Sequence, residues 1–237
     1  MHVWWADGAR GEDRAPFRFF AFALTAEAAI DPGRTRVLLA TSDVAHGLGD
    51  LPNLAFVERD LATGKTIAET PVLTAREVGD TGADNVTDVG PAGDELARKV
   101  SERLVALDGK LAAEGWQVLP RCQAPPRLAS YELVGHSEAE AIAALTVPHT
   151  CPEGSVSLVG EWLTVRGSAG AVLLRQRVPA APPAPEDPAT YIRSIASAWL
   201  DPARQALVVR VVFTRCCAGG DAEGPADEWW VRKLRAQ

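Results

Sequence analysis

Apolar residues in this chain recur mostly at every second position, the period of a strand that sends alternate side chains to opposite faces. Phe17, Phe19, Ala21 and Ala23 share one face and Phe20, Phe22 and Leu24 the other, which predicts a strand buried on both sides. The turn signal Asp31-Pro32-Gly33 precedes a short strand over Arg36 to Thr41. In LAFVERDLATGKTIAETPV, Phe56 and Glu58 alternate with Val57 and Arg59. Gly64 supplies a positive φ for the turn over Leu61 to Gly64, and Thr66 to Thr70 returns as the second arm of a hairpin. EWLTVRGSAGAVLLRQRVP has the same shape, with a strand to Arg166, a turn over Gly167 to Gly170 and a strand to Val178. After the proline-rich connector VPAAPPAPEDP come Tyr191 to Leu200 and a turn at Asp201-Pro202-Ala203. ALVVRVVF, residues 206 to 213, is almost wholly β-branched or aromatic and predicts the middle of a sheet, with DEWWVRKL, 227 to 234, as its antiparallel neighbour.

Helical spacing appears in two places. Leu96, Val100, Leu104, Leu107 and Leu111 recur at steps of four, four, three and four, while Glu95, Arg98, Lys99, Glu102, Arg103, Asp108 and Lys110 fall on the other side. Asp94 is placed to cap or charge the start of this helix and Gly115 to end it. A shorter helix is signalled by Ser137 and Glu140, the spacing of a capping box, and is stopped by Pro148. The expected fold is therefore α+β, predominantly antiparallel sheets and meanders in two β-rich lobes, with one long amphipathic helix (about 94–114) packed on the sheet. The chain is read as a single domain over 1–237 with possible sub-lobes 1–122 and 123–237. The absence of strand-helix-strand alternation argues against a parallel, Rossmann-like sheet.

Composition narrows the function classes. The chain has 24 basic and 31 acidic residues, a formal charge of -7 and no basic run beyond Arg232-Lys233-Leu234-Arg235, so a nucleic-acid partner is not expected. Its residues are 47% hydrophobic, yet no apolar run approaches the roughly 20 residues of a spanning helix, so a membrane span is not expected either. Met1 to Asp7 lacks the charged-then-apolar order of a secretory leader. The expectation is an extracytoplasmic protein, periplasmic or secreted, if a leader has been removed, and a cytoplasmic one otherwise.

Four cysteines carry the main candidate chemistry: Cys122, Cys151, Cys216 and Cys217. In an oxidising compartment they allow two disulfides, and in the cytosol they would be thiols. Bonding the adjacent pair to each other would close a small strained ring, so the expected oxidised form joins Cys122 and Cys151 each to one of the C-terminal pair. The same side chains with His149 offer thiolate and imidazole ligands to zinc or copper, although adjacent cysteines point poorly at one ion. The loop GDTGADNVTDVGPAGD, with Asp80, Asp84, Asn85, Asp88 and Asp94, lacks the calcium-loop order and reads as a solvated surface. No nucleophile elbow and no glycine-rich dinucleotide or phosphate loop is present, and no cofactor is expected. Seven tryptophans include the pairs Trp4-Trp5 and Trp229-Trp230. On a strand each pair sends one indole outward, where it could anchor a protein or a sugar.

Taken in order, FFAFAL, VERDLATGKTIAETPV, the helix, SYELVG and VVRVVFTRCCAGGDAEGPADEWWVRKL resemble a family of uncharacterised, predicted secreted bacterial proteins, a domain of unknown function. Glu223-Gly224-Pro225 is the best of these motifs, and Ala23 stands where an acidic residue is expected. The resemblance implies an extracytoplasmic location, which favours disulfides, and it implies no activity. The functional expectation is a non-catalytic bacterial envelope protein or a protein- or glycan-binding module. The alternative is a hydrolase or metal-dependent enzyme with a site near His149, Cys151, Cys216 and Cys217.

Overall fold

A computed structural model describes residues 28–44, 52–80, 90–125, 137–178, 191–203, 205–215 and 228–234. The chain divides into two compact units, Met1–Val118 and Leu119–Gln237. Both are built mainly on antiparallel sheets, in line with the period-two pattern. The expected strand over Phe17 to Leu24 lies outside the described residues, as does most of the acidic loop.

In the first unit, β1 (Ala28–Ile30), β2 (Arg36–Val44), β3 (Pro52–Asp60), β4 (Thr66–Leu73) and β5 (Gln117–Val118) form a sheet in the order β4-β3-β2-β1-β5. The β3–β4 hairpin turns through Leu61 to Gly64, and Gly64 takes φ 70, a value that costs a residue without Cβ nothing. In the β1–β2 turn the positive φ falls on Arg34 rather than on Gly33. That turn is held by Asp31, whose carboxylate accepts from the Thr35 and Arg36 amides, both at 2.7 Å, and from Thr35 Oγ1 at 3.0 Å. Burial pulls the Asp31 carboxyl upward, but these hydrogen bonds and the Arg36 charge outweigh it and hold its pKa below the usual range.

Two helices follow β4. The short α1 (Ala75–Gly79) begins with a capping box between Thr74 and Glu77. The longer α2 (Gly90–Ala113) starts four residues before Asp94, which therefore lies inside the helix and does not cap it. Pro91 sits in the first turn, where a missing amide proton is no loss. Leu96, Val100, Leu104, Leu107 and Leu111 of α2 join Ala29, Leu38, Leu54, Phe56 and Val72 of the sheet in one core. A cleanly two-sided rod is not what results: Val105 is 63% exposed, and Asp108, expected on the wet side, is half-buried. At the C-terminus the Gly115 amide donates to Ala112 O and the Trp116 amide to Leu111 O, with Gly115 at φ 75. This is a Schellman closure, and it brings Trp116 back onto Leu111 within the core.

The second unit contains α3 (Glu138–Leu145), which starts on the capping box of Ser137 and Glu140, and seven named strands. β6 (His149–Cys151), β7 (Gly154–Val159), β8 (Trp162–Gly167) and β9 (Val172–Arg177) form one sheet in that order. β10 (Tyr191–Leu200), β11 (Ala206–Arg215) and β12 (Glu228–Lys233) form another, with the β-branched β11 in the middle. The two are stitched together by residues 120 to 123. Arg121 bridges to Trp199 of β10 and Gln123 bridges to Thr150 of β6, both antiparallel, so this short segment has β10 on one side and β6 on the other. The inner faces then share a core of Val156, Leu158, Leu163 and Val165 with Ile195, Leu207, Val209 and Val211. Arg232 of β12 also donates to Gln176 of β9 at 3.0 Å.

Candidate functional site

The seam at residues 120 to 123 decides the fate of the cysteines. Gln123 and Thr150 exchange both amide hydrogen bonds, which makes Cys122 and Cys151 the next, non-hydrogen-bonded pair, where two strands approach most closely. Their Cα atoms are 4.2 Å apart and their sulfurs are bonded to each other. The expected linkage of each to the C-terminal pair is thus replaced by Cys122–Cys151. Cys216 and Cys217 lie outside the described residues.

The same bond removes Cys151 from the proposed metal set, because a disulfide sulfur is not a thiolate ligand. His149 is buried beneath β10, with Nε2 at 3.0 Å from Ile195 O. Among the described residues no group of three or more His, Cys, Asp or Glu side chains is disposed to hold a metal ion. The pocket beside His149, lined also by Ala144, Leu145, Ser194 and Ile195, has a volume of about 20 Å³, room for one water molecule.

The tryptophan pairs give a mixed result. Trp4 and Trp5 lie outside the described residues. Trp229 and Trp230 do take opposite faces of β12, but neither is a free anchor. Trp230 is buried, with its indole N–H donating to Glu228 at 2.8 Å and the Arg193 guanidinium 5.4 Å from its ring. Trp229 is half-buried and stacks on Trp199 of β10, centroids 5.7 Å apart and planes inclined by 22°. Arg121 and Arg210 flank this stack at 5.7 and 6.0 Å from the Trp199 and Trp229 rings.

Among the described residues the exposed tryptophan lies elsewhere, on the outer face of β7, β8 and β9. The alternation in β8 buries Leu163 and Val165 and turns Trp162, Thr164 and Arg166 outward. Register then sets Val159, Trp162 and Arg177 side by side in one row, and Ser157, Thr164 and Arg175 in the next. Ser155 stands beside Arg166 in a third row. Trp162 is 43% exposed, and the Arg175 guanidinium sits 4.8 Å from its ring centroid, a cation held over a π face. Arg177 donates from Nε to Glu161 at 2.6 Å. Arg166 reaches only the Gly170 carbonyl, at 3.3 Å, and Arg175 has no carboxylate partner among the described residues.

This face was visible in the letters WLTVR and LLRQR, whose alternation separates Trp162, Arg166, Arg175 and Arg177 from the apolar positions. What alternation does not carry is which arginines find a carboxylate. The arrangement offers an aromatic plane, two guanidinium groups without a carboxylate partner among the described residues, and neighbouring hydroxyls on one sheet face, which suits binding. Comparison with protein families, curated proteins and solved structures finds no match for this chain, so the site rests on its own geometry.

Proposed function

We propose that the chain is a non-catalytic, extracytoplasmic bacterial binding module whose contact surface is the outer face of β7, β8 and β9. The observation that carries this reading is Trp162, a large aromatic 43% open to solvent on a rigid strand, with Arg175 over its ring. Isolated exposed aromatics are common, but one beside an arginine with no carboxylate partner among the described residues and a hydroxyl in the next row has the composition of a recognition surface. A glycan is the favoured partner class, because an indole can take the C–H face of a sugar ring while neighbouring hydroxyls and guanidinium groups meet its oxygens. The Cys122–Cys151 bond supports an oxidising compartment, and among the described residues no helix is long and apolar enough to cross a membrane.

The test is an immobilised-glycan array of neutral and acidic oligosaccharides probed with the full chain and with Trp162→Ala. Retention on at least one glycan, lost in the variant while its thermal unfolding is unchanged, is the expected outcome. Retention on none, or retention indifferent to Trp162, would overturn the reading.

A further inference from the structure

We infer that the β7–β8–β9 face takes an acidic glycan, one whose sugars carry carboxylates at intervals, and not a neutral one; the inference rests on the binding reading above and specifies its ligand. Three observations on the same surface lead to it.

Arg175 and Arg166 are exposed arginines of an acidic chain, yet neither is matched by a carboxylate among the described residues. Stacking over Trp162 orients the Arg175 head group, and among the described residues none of its N–H donors meets an acceptor. A planar guanidinium with its fork of donors still free is suited to bidentate capture of a carboxylate. The neighbouring pair supplies an internal example: Glu161 presents its carboxylate to Arg177 on this same face, at 2.6 Å.

Spacing is the second observation. Arg175 lies opposite Thr164, and Arg166 follows two residues along β8, past a shift in register that sets it opposite Val172, so the two cations stand in successive rows of the face. Trp162 lies diagonally across from Arg175. A sugar ring meeting the part of Trp162 that Arg175 leaves exposed therefore has one cation beside it and a second further along the strand. Ser155, Ser157 and Thr164, in adjoining positions, can exchange hydrogen bonds with sugar hydroxyls.

The third observation is charge. At -7 the whole chain repels a densely charged polyanion such as a nucleic acid, so local attraction favours a ligand whose acids are spaced apart. An acidic peptide offers carboxylates but no rigid ring for the indole.

Calorimetric titration of the full chain with a hyaluronan hexasaccharide, in which glucuronate alternates with N-acetylglucosamine, is the test. Chitohexaose, of the same length without carboxylates, an oligo-glutamate decapeptide and an oligo-thymidylate decamer serve as comparators. The hyaluronan fragment is expected to bind at least about tenfold more tightly than each comparator. Arg175→Ala and Arg166→Ala are each expected to weaken it by about tenfold, and Arg175→Lys by less, while Trp162→Ala weakens hyaluronan fragment and chitohexaose alike. Affinity should fall as salt rises. Chitohexaose binding as tightly as the hyaluronan fragment, with both lost in Trp162→Ala, would overturn the acidic-glycan inference and leave the binding module standing. Tighter binding of the peptide or the nucleotide would also overturn it. Absence of binding to any glycan, here and on the array, would remove the module reading itself. Because these side chains point outward, unchanged far-ultraviolet dichroism and an unchanged urea-unfolding midpoint are expected in every variant and separate lost binding from lost fold.

Discussion

At Gly154 one atom decides whether the second unit keeps its strand register. The residue opens β7 opposite Gly167, at φ 152, and a Cβ placed on it would lie 1.9 Å from the Arg166 carbonyl oxygen. That oxygen belongs to backbone in a paired strand and cannot swing aside. Gly154→Ala is therefore expected to cost about 3 kcal/mol, read as a lower midpoint in urea unfolding at unchanged slope. A loss under about 0.5 kcal/mol would mean that the close approach of these strands is not fixed. Gly64 and Gly115, by contrast, could be assigned to turns from the letters alone, because the flanking pattern changes period there. Nothing local marks Gly154: its requirement comes from a carbonyl twelve residues later, and that depends on the pairing of β7 with β8.

Among the elements, α1 and α2 are joined by an ion pair that the sequence also hides. Arg103 of α2 donates to both oxygens of Glu77, at 2.6 and 3.0 Å, and to Val72 O at 2.8 Å, while Thr74 donates to the same carboxylate from its amide and hydroxyl. The Arg103 hydrogen bonds, aided by Thr74, hold the Glu77 carboxyl at about 2 against an ordinary value of 4.5. A depressed carboxyl contributes stability that is fully present above its unfolded pKa and is lost as pH falls from about 4.5 toward 2. Full burial would make this about 3 kcal/mol; with the side chains 28% and 39% exposed, solvent screening reduces it to about 1–2 kcal/mol. Glu77→Gln should lower stability by that amount at pH 7 and by much less near pH 2, measured by urea unfolding across the range. Equal losses at both pH values would assign the effect to the cap instead of the charge. Thr74-Ala75-Arg76-Glu77 has the same capping-box spacing as Ser137 and Glu140, yet only the second precedes a run with evident helical period. The hairpins and β11 were legible because turn residues and β-branched runs act locally. The seam at 120 to 123 was not, since its two partners stand far away in the chain and its own letters show no alternation.

Across the second unit as a whole, the seam and its disulfide hold two sheets as one. The bond spans 29 residues, and a loop of that size restricts the unfolded chain enough to contribute about 3–4 kcal/mol. Replacing Cys122 and Cys151 together by Ser should remove that amount from the unfolding free energy of this unit, and reduction of the unmodified chain should have the same effect. A variant as stable as the parent would show that the backbone pairing suffices. The seam also has a consequence for how the chain is made. Its residues leave the ribosome before any other strand of the unit, yet Arg121 reaches a partner, Ser197, that follows 76 positions later. Once β6 has paired and before β10 docks, the segment presents one satisfied edge and one bare edge, and oxidation of Cys122 to Cys151 would preserve that half-finished ladder until β10 closes it.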